Sequence, residues 1–347
     1  MTAIPKPVVV RMGGPPDIVG AMPSFIGFHP SESLVVMCLH GPRKRNGLTM
    51  RFDLPEPRHQ RSMVSEVAAR VTRERAGSVI VVCYTAEGDV DGNLPRKGLV
   101  EGVVRHLVAR DVGVVEALLV RAGRWFSYTC TEPCCPSGGT PVPESPTGAA
   151  AQFASEVALN GRAVLPDRDA LAASVRGPVA LRRIALTQVY DRVADDVAAE
   201  LAEGDVVSFA NRTIVLARTA LDAYVDGRRD LRDADAVRIV LGLHDKTSRD
   251  DLATWGIDDN VDELVVLLTD LAQRALDEHA APVCTVLASV AYQRGGGPLV
   301  SVALERALCC DPGYTMARIL AAMLHDQVKP AELRSLSRKV RRDLRRS

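Results

Sequence analysis

The chain has 347 residues, 43 Lys+Arg against 43 Asp+Glu, 47% hydrophobic residues and 25% charged ones. That balance excludes a disordered chain and a uniformly basic nucleic-acid binder, and the length exceeds one ordinary core, so two domains are expected. No run approaches the roughly 20 apolar residues that span a bilayer, and the opening MTAIPKPVVVRMGGPPD lacks the apolar core of a signal peptide. The expectation is a cytoplasmic protein without membrane contact, its 8 Cys mostly reduced.

In chain order, Pro15-Pro16-Asp17 predicts a short helix to about Ile26. LVVMCLH (34–40) and LTMRFDL (48–54), joined by GPRKRNG, predict a hairpin. Met63, Val64, Val67, Ala68 and Val71 form a helical stripe between Pro57 and Arg75. SVIVVCYT (78–85) reads as a buried parallel strand, Gly98 to Arg110 as a helix, and VGVVEALLV (112–120) and RWFSYT (124–129) as strands. The order β-β-α-β-α-β-β predicts an α/β domain with a mixed sheet over residues 1–145, ending in a Cys-rich loop. CTEPCCPSGGTPVPESPTG (130–148) has no periodicity and reads as a linker.

Residues 146–347 predict an all-α domain, with helices near 150–159, 180–202, 211–225, 233–243, 260–278, 282–293, 298–310 and 314–326. Leu181, Ile184, Ala185, Val189 and Val193 form one stripe, and Val261, Leu264, Val265, Leu268, Leu271 and Leu276 another. Leu287, Ala288, Ala291, Val300, Leu304, Ala307 and Pro312 occupy the small and apolar positions of a tetratricopeptide-like helix hairpin. Cys309 and Cys310 are expected in the core. The tail 329–347 carries six net positive charges and predicts a basic C-terminal helix.

The phosphate-cradling GxxxxGK[ST], GxGxxG, HExxH and GxSxG patterns are absent. The densest candidate chemistry is Cys130, Cys134 and Cys135. Thiolates are soft ligands suited to zinc, and a loop lets them converge, but adjacent cysteines ligate together with difficulty and a remote ligand such as His29 is needed. Redox thiols or small loop-anchoring side chains are the alternatives. In GFHPSES (27–33), His29 reads as a ligand, a general base or a loop pin, with Ser31 or Ser33 bonding locally. Arg51 and Asp53 share one strand face, and Arg124, Ser127 and Tyr128 precede Cys130. If their strands are neighbours, His29, Ser33, Arg51, Asp53, Arg124, Tyr128 and the three cysteines gather at one sheet edge. Arg338, Lys339, Arg341 and Arg342 are candidate phosphate contacts.

The segments PSFIGFHPSESLVV (23–36), MRFDLP (50–55), WFSYTCTEPCCPSGGTPV (125–142) and ALERALCCDPGYTMA (303–317) together resemble domain-of-unknown-function family 4192, an actinobacterial family. The resemblance covers nearly the whole chain and carries the family motif to Gly27, Phe28, His29, Pro30, Ser33, Leu34, Arg51, Asp53, Arg124, Tyr128, Cys130, Cys134, Cys135, Pro136 and Gly139. Trp125-Phe126 departs from the Trp pair common in that family. The resemblance implies fold extent and host lineage, and no activity. Three functions remain open: a regulatory or scaffolding protein that binds other proteins, an enzyme or zinc/thiol site at the sheet edge, and weak nucleic-acid association through the tail.

Overall fold

A computed structural model describes residues 10–130, 132, 134–159, 163–202 and 206–346. The chain divides into two compact units, Met1–Arg168 and Asp169–Ser347.

The first unit runs α1 (Pro15–Ile26), β1 (Ser33–His40), β2 (Arg45–Asp53), α2 (Gln60–Glu74), β3 (Ser78–Tyr84), α3 (Lys97–Val108), β4 (Gly113–Arg121), β5 (Arg124–Ser127), β6 (Thr140–Pro141) and α4 (Gly148–Leu159). Its six-stranded sheet has the order β2-β1-β3-β4-β5-β6. Only β3 and β4 are parallel, joined by the α3 crossover; β1 is antiparallel to both β2 and β3. β1 is therefore interior, which explains its unbroken apolar run. One sheet face, with Leu34, Val36, Cys38, Val79, Val81, Cys83, Ala117 and Leu119, packs on the apolar stripes of α2 and α3. The opposite face buries Val35, Val82, Tyr84, Leu118 and Trp125. α1 packs against β4 and α4.

The unit boundary falls at Arg168/Asp169 instead of 145/146. The reason is α4: Phe153 stacks on Phe25 at 4.3 Å between ring centroids, so this helix is held by α1. β6 escapes pattern reading because two residues are too few to show a period.

The second unit is helical: α5 (Arg168–Ala173), which starts at the division, α6 (Ala180–Ala202), α7 (Val206–Val225), α8 (Asp233–Gly242), α9 (Lys246–Thr254), α10 (Val261–Arg274), α11 (Asp277–Arg294), α12 (Gly297–Cys310), α13 (Thr315–His325) and α14 (Pro330–Leu344). α11 is its central rod, buried from Ala280 to Gln293, and turns into α12 through Gly295 and Gly296.

Several expectations change here. The helix read over 260–278 breaks at Ala275 and Leu276, both extended. Arg306 donates to the carbonyls of Ala272 and Ala275, satisfying the end of α10 and fixing the break. The face of α6 is also different: Leu181 and Ile184 are exposed, while Leu186, Tyr190 and Val193 are buried. Cys309 is exposed and so is not a core residue, whereas the half-buried Cys310 packs against the core of the second unit. Among the described residues, no helix is long and apolar enough to cross a membrane.

Candidate metal centre

β5 and β6 form a short antiparallel ladder, Arg124 opposite Pro141 and Trp125 opposite Thr140. The segment between them is the thiol loop, and local hydrogen bonds shape both of its limbs. On leaving β5, the Ser127 hydroxyl accepts from the backbone N–H of Thr129 (3.3 Å) and Cys130 (3.0 Å), a turn that fixes the direction of Cys130. On return, the Arg124 guanidinium donates to the Gly138 and Gly139 carbonyls at 2.7 and 2.8 Å. Gly139 has φ +69°, and a Cβ there would lie 2.6 Å from the Phe126 ring, so only glycine fits. The Tyr128 hydroxyl donates to the Pro95 carbonyl at 2.7 Å, tying the loop root to the segment before α3.

Within this frame the backbone N–H of Cys135 donates to the Glu132 carbonyl at 2.8 Å, and the three thiols converge. Their sulfurs all lie within 4.8 Å of one another, with Cys130 Sγ and Cys134 Sγ 3.8 Å apart. Tetrahedral zinc with Zn–S bonds of about 2.3 Å places neighbouring sulfurs about 3.8 Å apart, whereas a disulfide needs about 2.05 Å. The Cys130–Cys134 spacing matches a coordination edge and equally a thiol–thiol hydrogen bond, and it is too long for a disulfide. The turn brings the adjacent Cys134 and Cys135 both toward Cys130, with all three sulfurs within 4.8 Å of one another. Electrostatics separates the thiols. The Glu132 backbone amide, then the Cys135 thiol, bonds the Cys130 sulfur and holds its pKa below the ordinary thiol value. Desolvation, then the neighbouring sulfurs, pushes Cys135 up to about 12.

His29 is not part of this thiol group. It is exposed, and its backbone N–H donates to the Leu165 carbonyl at 3.1 Å, while Leu165 N–H donates to Gly27. This bridge positions the loop after α1, where Gly27 takes φ +81°. The sheet order explains the separation. β5 does not neighbour the β1–β2 hairpin, since β3 and β4 stand between them. Ser33 is in register with Tyr84, Tyr84 with Val120 and Val120 with Trp125, so three strand spacings, about 14 Å, divide the His29 side from β5.

Two groups thus replace one edge. Arg124, Tyr128 and the cysteines form the β5–β6 group. The β1–β2 group holds Ser33, wholly buried, and Arg51, which pairs with Asp53 at 2.7 Å and lies over the Phe28 ring at 5.9 Å. Glu32 belongs there too, although its sequence context gave no sign. At φ +38°, it accepts from the Thr85 hydroxyl (2.9 Å) and the Ala86 amide (2.6 Å), and so clamps the end of β3. Arg96 donates to the Pro55 carbonyl at 2.8 Å and Glu87 at 2.6 Å.

The basic tail is the packed helix α14 in the second unit. Arg341 faces inward, donating to both Asp258 carboxylate oxygens (2.7 and 3.0 Å) and to the Thr254 carbonyl (2.7 Å). It is a structural anchor rather than a phosphate contact. Arg338, Lys339 and Arg342 are exposed.

A family model described as Domain of unknown function (DUF4192) matches residues 15–331. No curated protein and no solved structure matches the chain.

Proposed function

This chain belongs to the DUF4192 family, and we propose that it acts as a zinc-holding regulatory protein, with Cys130, Cys134 and Cys135 supplying three thiolates to one ion. The observation that carries this reading is the 3.8 Å sulfur separation within a group of three thiols. Zinc rather than calcium or magnesium suits the donor set, because soft thiolates discriminate against hard cations. Three protein ligands leave a fourth position for water or a donor atom from another molecule. Arg124 and Ser127 hold the two limbs of the loop and so position the ligands. The reading requires a reducing compartment, since a disulfide removes two ligands.

Elemental analysis of the purified full chain tests it. We expect about one zinc per chain, lost in Cys134→Ser, whose exposed side chain contributes little to folding. Less than about a tenth of an equivalent rejects the reading.

A second reading, protein interaction through the helical unit, is favoured by the α11–α12 hairpin. Leu287, Ala288, Ala291, Val300, Leu304 and Ala307 are all buried, and Pro312 follows the end of α12. This supports tetratricopeptide-like packing, in which small residues let two helices approach closely.

A further inference from the structure

The thiol loop differs from a closed structural zinc site in two respects. It supplies three ligands where a closed site has four, and one of the three, Cys134, is exposed while Cys130 and Cys135 are half-buried. Small solutes therefore reach the group through Cys134. The Cys130 sulfur lies 3.8 Å from that of Cys134, at thiol–thiol hydrogen-bond distance. Closing this gap to the roughly 2.05 Å of a disulfide asks less than about 1 Å of each sulfur. Ser127 and Arg124 brace the two limbs from outside the Cys130–Cys134 segment, so the closure stays within the loop.

Geometry and access narrow the pairing. Cys134 and Cys135 are consecutive, and the roughly 3.8 Å between consecutive α-carbons falls short of the roughly 4.4–6.8 Å that a disulfide normally spans. Cys38, Cys83 and Cys284 are buried in the two cores, away from a dissolved oxidant. Cys134 is thus the thiol that meets an oxidant first, and Cys130 is the partner set to close on it.

We infer that the loop is a peroxide-operated zinc switch, in which a hydroperoxide joins Cys134 to Cys130 as a disulfide and frees the ion. The inference rests on the zinc reading above and adds its regulation. The Cys134 thiolate attacks one peroxide oxygen; the O–O bond breaks, the sulfur keeps that oxygen as a sulfenic acid, and the other oxygen leaves as hydroxide. The Cys130 thiolate then attacks the Cys134 sulfur; the S–S bond forms, the S–O bond breaks, and a second hydroxide leaves. Two protons from solvent convert the hydroxides to water. The sulfurs together lose two electrons and the peroxide gains two. One thiolate, Cys135, then remains of three, too few to hold the ion. A dithiol reductant reverses the step by thiol–disulfide exchange.

The test uses the zinc-loaded full chain, freed of excess metal and treated with hydrogen peroxide beside a chromogenic zinc indicator. Non-reducing peptide mapping then locates the bonds. About one zinc per chain is expected to leave, together with formation of a Cys130–Cys134 disulfide, while Cys135 stays open to alkylation in the denatured chain. Without peroxide the indicator is expected to take up zinc at least about tenfold more slowly, and a dithiol reductant is expected to restore zinc binding. Two zinc-free variants follow the bond without the ion. Cys135→Ser is expected to lose two hydrogens on oxidation, and Cys130→Ser to form no bond within one chain, both with an unchanged circular-dichroism signal. Retention of zinc once the peroxide is consumed, a Cys130–Cys135 or interchain bond as the main product, or sulfinic acid at Cys134 without a disulfide overturns the inference and leaves the zinc reading standing. A chain that takes up no zinc before peroxide is added fails the zinc reading, and the inference with it.

Discussion

Cys130 and Cys135 sit five residues apart in sequence, yet the loop gives them opposite acid–base character. Cys130 is bonded through its sulfur by the Glu132 amide, which favours its thiolate, and Cys135 is held protonated by desolvation. Because a lowered pKa raises the thiolate fraction at a given pH, chelator-treated protein should alkylate at Cys130 at lower pH than an ordinary thiol. Cys135 should react only near its value of about 12. Mass-spectrometric mapping of iodoacetamide adducts across pH reads this directly; the same midpoint at both residues refutes the assignment. The grouping of Cys130, Cys134 and Cys135 was legible from their spacing, although that spacing left metal, redox and loop-anchoring readings open. The role of Arg124 in bracing Gly138 and Gly139 was not, since a sequence reports a charge and not the carbonyls it meets. Glu32 escaped for the same reason: its partners Thr85 and Ala86 are more than fifty positions away and meet it only through the β1–β3 pairing.

At the scale of elements, periodicity carried most of the reading. α2, α10 and β3 lie where apolar stripes or β-branched runs stand alone. Failures occur where a tertiary contact overrides local pattern. Arg306 ends α10 early, and α6 turns Leu186, Tyr190 and Val193 inward in place of Leu181 and Ile184. The short helix α9, rich in Lys, Arg and Asp, has too little apolar contrast to register, although Asp245 caps it by accepting from Ser248 N–H. α14 illustrates how charge misleads. The basic tail offered Arg341 as a candidate phosphate contact, but its guanidinium is taken up by Asp258 and Thr254. Arg341→Ala should destabilise the second unit by about 2 kcal/mol, since it leaves a half-buried carboxylate and a carbonyl without their donor. Urea denaturation checks this; a change within about 0.5 kcal/mol indicates that the anchor is idle.

For the whole molecule, the pairing of a mixed α/β sheet unit with a helical unit follows from the change of apolar period along the chain. The sheet order does not. Insertion of β1 between β2 and β3 is set by which edges remain after the α3 crossover joins β3 to β4, and strand patterns do not encode it. That order splits the anticipated single cluster into a β1–β2 group and a β5–β6 group. On the proposed zinc reading the thiol loop supplies three ligands by itself and leaves one position for an outside donor. X-ray absorption at the zinc edge of the zinc-loaded full chain measures that arrangement most directly. The account predicts about three sulfur neighbours at about 2.3 Å and one lighter nitrogen or oxygen neighbour. A shell of nitrogen and oxygen alone, at about 2.0 Å, contradicts it.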